Sequence, residues 1–320
     1  MKVINQAKGK TKTKAVLGQL GDIDLRLLRV FQSVADCGGM AAAELELNIG
    51  VSTISRHVKD LELRLGLSLC RRGRAGFALT PEGERVHAET LRLLAATDAF
   101  RNGIDDIHQR MGGELHVGVF DKTATNPRAH LGEAIASFVD QAPQVKLVLH
   151  VAPLNTIEQQ VMAGAFQVGV IPAHRNAPAL DYAPLFSEAM RLYCGHKHPL
   201  FDAPLGKPRP ALGWSDVRGH RFAGLGYHSP NMELSHQMRL PCSATGFDQE
   251  SIATLILSGK FLGFLPEHYA RVFEVNGQMR ALQPDRFTYN ADFVAITRRT
   301  PHPGRAAQVF TEGLVAAHKV

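Results

Sequence analysis

The chain has 320 residues, 45% of them apolar and 21% charged, which is ordinary for a soluble protein with two or three cored domains. No apolar run approaches a bilayer span and the N-terminus lacks a signal-peptide pattern, so the expected location is the cytoplasm, with no membrane partner. The formal charge of +6 is uneven: residues 1–80 hold 13 Lys and Arg against 7 Asp and Glu, and residues 81–320 hold 23 of each. A basic quarter on a neutral remainder points to one polyanion-binding face rather than a sticky surface.

Residues 1–21 read as a disordered basic tail, with Lys2, Lys8, Lys10, Lys12 and Lys14 and no acid before Leu20. Asp24 to Ala35 then reads as a helix with Leu25, Leu28, Phe31 and Val34 inward and Asp22 or Asp24 as its N-cap. Cys37-Gly38-Gly39 breaks it, Met40 to Leu47 forms a short second helix, and Asn48-Ile49-Gly50 makes a tight turn. From Gly50 to Gly66, Ile54, Val58, Leu61 and Leu65 recur at helical spacing and form one apolar stripe. Ser52, Thr53, Ser55, Arg56, His57 and Lys59 stay off that stripe. Hydroxyls and an arginine near a helix N-terminus can reach base edges, while lysine meets phosphate.

Two helices joined through a glycine turn, the second with a polar face, make the helix-turn-helix pattern. Leu69 to Leu79 follows as two short strands about a turn, carrying Arg71, Arg72 and Arg74 as a basic wing beside the helix. Residues from Asp24-Leu25-Arg26 to Gly83 resemble the N-terminal domain of the LysR-type transcriptional regulators. The resemblance is carried by Asp24-Leu25-Arg26-x-Leu28, the alanines before the turn, Ser55-Arg56, Leu61-Glu62, Leu65-Gly66 and Leu79-Thr80-Pro81-Glu82-Gly83. Gly39-Met40 stands where the family usually has Ser-Phe, and Gly50-Val51-Ser52-Thr53 where it commonly has Ser-Gln-Pro-Ala. The amide often used for base contact is therefore Val51 here.

Thr80 and Pro81 mark the start of a long helix, with Gly83 where a capping-box glutamate would sit. Val86, Thr90, Leu93, Thr97, Phe100, Ile104, Ile107 and Met111 alternate spacings of four and three, a heptad seam diluted by two threonines. At 1.5 Å per residue the helix would span about 45 Å. In LysR-type proteins the matching helix pairs two subunits; the competing reading is a core helix of one domain. After Gly112-Gly113 the texture becomes alternating strand and helix. Strands are expected at 114–120, 145–151, 166–171, 191–194, 221–225, 262–265 and 287–297. Helices are expected from Asn126-Pro127, at 157–163, at 251–258 and at 306–317. Parallel strands with crossover helices in two lobes, joined by two crossings, resemble the family's periplasmic-binding-protein-like effector domain. Gly195-His196-Lys197-His198-Pro199-Leu200 and Gly263-Phe264-Leu265-Pro266-Glu267 match its landmarks.

Catalytic chemistry finds no purchase. The chain has no nucleophile elbow, phosphate loop or dinucleotide fingerprint. His196 and His198 would share a face on a strand, but no third metal ligand has a suitable spacing. Cys37, Cys70, Cys194 and Cys242 fit neither a zinc site nor a redox pair and read as buried thiols. No cofactor, metal or catalytic residue is therefore expected. A ligand cleft is expected instead, because ligands lie beyond the carboxyl ends of strands in such sheets. That rule selects Thr123, Thr125 and Asn126, His174, Tyr227 and His228, and Pro266.

The expected fold is α/β: a winged helix-turn-helix at 22–80, a linker helix at 81–112 and an effector domain at 113–320. Its first lobe is expected over 113–188 and 287–320 and its second over 189–286. The resemblance implies a regulator of transcription that binds double-stranded DNA and answers a small organic acid or related polar metabolite. It also implies a homodimer through the linker helix, a homotetramer of two such pairs, and RNA polymerase as a further partner. Two rivals are an enzymatic or small-molecule-binding α/β protein with a vestigial DNA head, and a nucleoid-type structural DNA binder.

Overall fold

The structure, a computed structural model, describes residues 18–73, 76–107, 111–201 and 212–319. The expected tail falls almost wholly outside these residues, as do Arg74 and the side chain of Arg72. The chain divides into two compact units, residues 1–98 and 99–320.

In the first unit, α1 (Asp22–Asp36), α2 (Met40–Leu47) and α3 (Val51–Leu65) pack about Phe31, Val34, Ala43, Ile54, Val58 and Leu61, all nearly fully buried. The apolar stripe of α3 thus faces the core as its period requires, with Leu65 half-buried at its end. Gly21, not an aspartate, is the N-cap of α1; Asp24 lies one turn in and accepts from the Gly21 amide at 3.0 Å. Asp24 also receives Arg64 Nε at 2.7 Å, so α1 is tied to the end of α3. The Gly21 amide, and then Arg64, hold the Asp24 carboxyl below the usual carboxylate range. Glu62 faces inward as well: its Oε1 accepts from the amides of Leu69 at 2.7 Å and Cys70 at 3.3 Å. This contact fixes where β1 (Cys70–Gly73) begins; β1 pairs antiparallel with β2 (Gly76–Leu79).

Helix α4 runs from Pro81 to Ile107, short of the Met111 expected from the seam. Thr80 Oγ1 accepts from the Gly83 amide at 2.9 Å, as an N-cap should. Gly83 has its own reason: a Cβ there would collide with the Leu69 carbonyl, a backbone atom that cannot swing aside. The seam divides into two parts. Val86 and Leu93 pack on the core of their own unit and Thr90 is buried, whereas Phe100 (73% exposed) and Ile104 (40%) are not covered. Both threonines turn their hydroxyls onto their own helix, Thr90 to the Val86 carbonyl and Thr97 to that of Leu94, each at 2.7 Å.

The second unit is built on a mixed sheet in the order β4-β3-β5-β11-β6-β9-β7-β8, with β10 (Met279–Ala281) pairing β6. In one lobe β3 (Gly113–Val119), β4 (Val145–Val151) and β5 (Val168–Pro172) are parallel, covered by α5 (Leu131–Gln141), α6 (Leu154–Ala163) and α11 (Arg305–Ala317). In the other, β7 (Phe222–Leu225), β8 (Cys242–Gly246) and β9 (Leu262–Pro266) are parallel. They alternate with α7 (Trp214–Arg218), α8 (Pro230–Gln237), α9 (Gln249–Leu257) and α10 (Glu267–Val275). The crossings are β6 (Leu180–Gly195) and β11 (Thr288–Arg298), antiparallel to each other.

Several local expectations are corrected. No helix starts at Asn126-Pro127: a short 3-10 turn occupies Thr123–Thr125, and α5 starts only at Leu131, after His130 in the left-handed region (φ 42°). The first crossing begins eleven residues before the expected 191. His196 and His198 lie past the end of β6 in a turn, one exposed and one buried, so they share no strand face. Of the four thiols only Cys194 is buried, and Cys242 is exposed.

Gly83→Ala is expected to destabilise the N-terminal unit by about 1–3 kcal/mol, because the added methyl forces α4 away from Leu69. Chemical denaturation of the full chain measures it, and an unchanged midpoint would refute the collision.

Candidate nucleic-acid interface and inter-lobe cleft

The outer face of α3 presents Ser52, Arg56 and Lys59 to solvent, with Thr53 and Ser55 half-exposed at its margins. Val51, at the first helical position, packs against the core instead, and its amide donates to Glu44 Oε1 at 3.3 Å. His57 departs from expectation: it is half-buried and its Nε2 is buried without a hydrogen-bond partner. Arg71, on β1, is exposed as well. The face therefore carries hydroxyls and cations and no acid until Asp60.

In the second unit the carboxyl ends of β3, β5, β7 and β9 meet a cleft between the lobes, and several polar contacts cross it. Asp121 follows β3 and accepts the Gln249 amide on Oδ2 at 2.7 Å. Lys122 pairs with Glu250, and its ammonium lies 4.6 Å from the centre of the Tyr269 ring. Thr125 Oγ1 lies 3.0 Å from both the Lys122 carbonyl, to which it donates, and His268 Nδ1. His174 Nδ1 and His228 Nδ1 are 2.9 Å apart, so at least one of these nitrogens is unprotonated.

The selected residues separate into distinct roles. Asn126 meets a buried carboxylate directly and Thr125 through His268: Glu188 Oε2 accepts Asn126 Nδ2 at 2.9 Å and lies 3.1 Å from His268 Nε2. Tyr227 is buried with its hydroxyl unpartnered, and burial raises its pKa strongly. The His174 side chain is buried 3.1 Å from Glu158 Oε1, and that burial lowers the imidazole pKa. Arg175 clasps the other oxygen of Glu158 at 2.6 and 3.2 Å. Thr123 does not face the cleft chemistry; its hydroxyl donates to the Phe120 carbonyl at 2.9 Å and pins the turn. Pro266 pairs with Met190 in the sheet and serves as the N-cap of α10, where it contributes shape and no donor.

Asp121, Glu158, Glu188, Gln249 and His268 were not selected from the sequence. Asp121 obeys the same strand-end rule as Thr123 and was legible. Gln249 was hidden because α9 starts two residues before the expected 251. Glu188 sits within a strand and His268 inside a helix, where periodicity gives no signal. Between Tyr227, Glu188, Gln249, Asn231, Tyr289 and Met190 lies a cavity of about 20 Å³, room for one water-sized group. Tyr227 Oη, Gln249 Oε1 and, beside them, Asp121 Oδ1 are buried with no partner in the protein. Among the described residues no cluster of three or more His, Cys, Asp or Glu could hold a metal ion.

Burial pushes the Asp121 carboxyl up to about 6, against the opposing pull of the Gln249 amide. A carboxyl raised in the fold favours folding below its unfolded pKa, and that advantage disappears as pH rises through 6. Asp121→Asn should therefore match the parent near pH 4 and exceed it by about 1–3 kcal/mol above pH 7. Denaturation curves from pH 4 to 8 would contradict this if the difference did not grow with pH.

The sequence signature of the LysR substrate binding domain matches residues 108–319, and that of the bacterial regulatory helix-turn-helix protein, lysR family, matches 25–84. The chain is 38% identical over 301 residues to the HTH-type transcriptional activator BauR of Pseudomonas aeruginosa, covering 94% of this chain and 97% of that one. It is 30% identical over 204 residues to the SDS degradation transcriptional activation protein of a Pseudomonas strain, covering 63% and 64%. Its fold is similar to that of CbnR, a LysR family transcriptional regulator (TM-score 0.62, 19% identity, 92% of this chain and 99% of that one). CbnR complexed with its target DNA gives a TM-score of 0.59 at 19% identity, over the same shares of the two chains. Among the described residues no helix is long and apolar enough to cross a membrane. The relatives are named as regulators of transcription rather than enzymes, and the chain itself belongs to the LysR-type family of transcriptional regulators.

Proposed function

We propose that this regulator reads an operator through α3 and the wing and that a small organic acid or related polar metabolite, held between the lobes, controls it. The observation that carries the control is the cleft itself: buried polar atoms without partners beside polar contacts that cross from lobe to lobe. A ligand that prefers one lobe arrangement shifts the population toward it. Of the selected residues, this reading gives that task to Thr125, Asn126, His174, Tyr227 and His228. The working division of the chain is a head at 22–80, a linker at 81–112 and a sensor at 113–320, acting in the cytoplasm with RNA polymerase as a further partner.

In the head, Ser52, Thr53, Ser55 and Arg56 are the base-reading set; Lys59, Arg71, Arg72 and Arg74 meet phosphate. His57, with one ring nitrogen buried, serves the helix more than the groove. Arg56→Ala should weaken binding to the operator, once mapped across the genome, by about 1–3 kcal/mol and relax preference at one base position. The exposed side chain leaves the fold unaffected. Equal affinity of parent and variant in fluorescence anisotropy would take Arg56 off the reading surface.

Subunits pair through α4, and two pairs form a tetramer whose heads engage two sites at high effective concentration. Support for pairing comes from the uncovered Phe100 and Ile104, and from an apolar groove of about 500 Å³ lined by Leu20, Leu65, Leu67, Val86 and Leu93. Leu93 also belongs to its own unit's core, so a charge there would confound folding with assembly. Ile104→Asp is the clean test: sedimentation should show loss of the dimer and operator binding should fall with it. An intact oligomer would exclude this half of α4 from the interface.

A further inference from the structure

The hydrogen-bonding deficit of the cleft has a sign. Asp121 Oδ1, Gln249 Oε1 and Tyr227 Oη are all buried without a partner, and each can accept a hydrogen bond. The Gln249 residue is 1% exposed and Tyr227 6%, and both line the small cavity together with Glu188. An amide oxygen and an ionised carboxylate accept only, and the Tyr227 hydroxyl can do either, so a group that fills this space satisfies most of them by donating. Charge points the same way. Asp121 and Glu188 both face the region, and Lys122, the nearest cation, is engaged by Glu250 and Tyr269. The helix end that would welcome an anion is already served by the protein: Asp121 takes the Gln249 amide, and Asp248 takes that of Ser251 at 2.6 Å. A ligand carboxylate placed here would meet two carboxylates, with the Tyr227 hydroxyl as an unpartnered donor against them.

Resting on the reading of the cleft as the effector site, we propose that the effector carries a protonated primary amine, received in the cavity by Glu188, Gln249 Oε1 and Tyr227 Oη, with the Asp121 carboxylate beside it. An ammonium has three donors for those acceptors and is close to water in size, which is what about 20 Å³ admits. Any acidic group of the same molecule then lies outside the cavity, away from the two carboxylates. The polar metabolite is thus an amine or an amino acid, not a simple carboxylate. The same arrangement couples binding to proton release, because the Asp121 carboxyl, at about 6, must ionise to meet the cation.

The test uses the full chain and three compounds of matched length: n-butylammonium, 4-aminobutyrate and n-butyrate. The two ammonium compounds should raise the melting temperature and give saturable heats in calorimetry, and butyrate should do neither. In buffers of different ionisation enthalpy at pH 6, each ammonium bound should release about half a proton. Asp121→Asn should weaken ammonium binding on the order of tenfold or more and abolish the proton release, and Tyr227→Phe should weaken it less. Glu188→Gln, which keeps the shape, supplies an independent second loss of charge. Butyrate binding as tightly as butylammonium, with loss in Tyr227→Phe, would overturn the ammonium while leaving the cleft as the effector site. No ammonium binding, or ammonium binding indifferent to Asp121→Asn and Glu188→Gln, would overturn the proposal outright.

Discussion

The antiparallel pairing of β6 with β11 is the constraint on which the sensing unit depends. These two strands belong to both lobes at once, with Leu180 to Arg191 registered against Arg298 to Thr288. Everything that crosses the cleft hangs on this ribbon. Asp121, Lys122 and Thr125 lie on one side; Gln249, Glu250 and His268 lie on the other, and Glu188 sits on β6 itself. The register slips between Asp292 and Val294, opposite the stretch just before Glu188. A bulge there concentrates twist and bending where the lobes join. A change in lobe angle would therefore be felt first around Glu188, whose carboxylate already gathers Asn126 and His268.

Much of the fold was legible because burial imposes periods on sequence. Ile54, Val58 and Leu61 follow the helical period closely enough to place α3 and its polar face together. The parallel order of both lobes follows from strands alternating with helices. What was not legible was set by side chains acting far from their place in sequence. Asn126-Pro127 looks like a helix start, but Asn126 gives its amide to Glu188, sixty-two residues away, and α5 starts five residues later. Gly83 reads as a defective cap until the Leu69 carbonyl is seen against it. The strand-end rule points to residues that follow strands and gives no signal for those within elements, as Glu188 and His268 are.

The linker helix shows how one heptad pattern serves two purposes. Val86 and Leu93 are consumed by the core of their own unit, so the same periodicity that suggests a partner is satisfied internally for its first turns. Among the described seam residues, Phe100 and Ile104 stand clear. The buried Thr90 costs the seam little, because its hydroxyl is bonded to its own helix. A seam read from sequence alone cannot separate these halves; burial can.

Specificity in the cleft follows from what the protein leaves unmet rather than from what it offers. At an effective dielectric of 20, unit charges 4 Å apart interact by about 4 kcal/mol, so the sign of a ligand's charge decides more than its shape there. Asp121 and Glu188 repel an acid and attract a base, and each buried acceptor without a partner penalises a ligand that brings no donor. Burial keeps Asp121 under strain, since desolvation raises its carboxyl to about 6. A cationic ligand would relieve that strain in one lobe arrangement and not in another. Differential relief of this kind is what a two-state regulator needs from its effector.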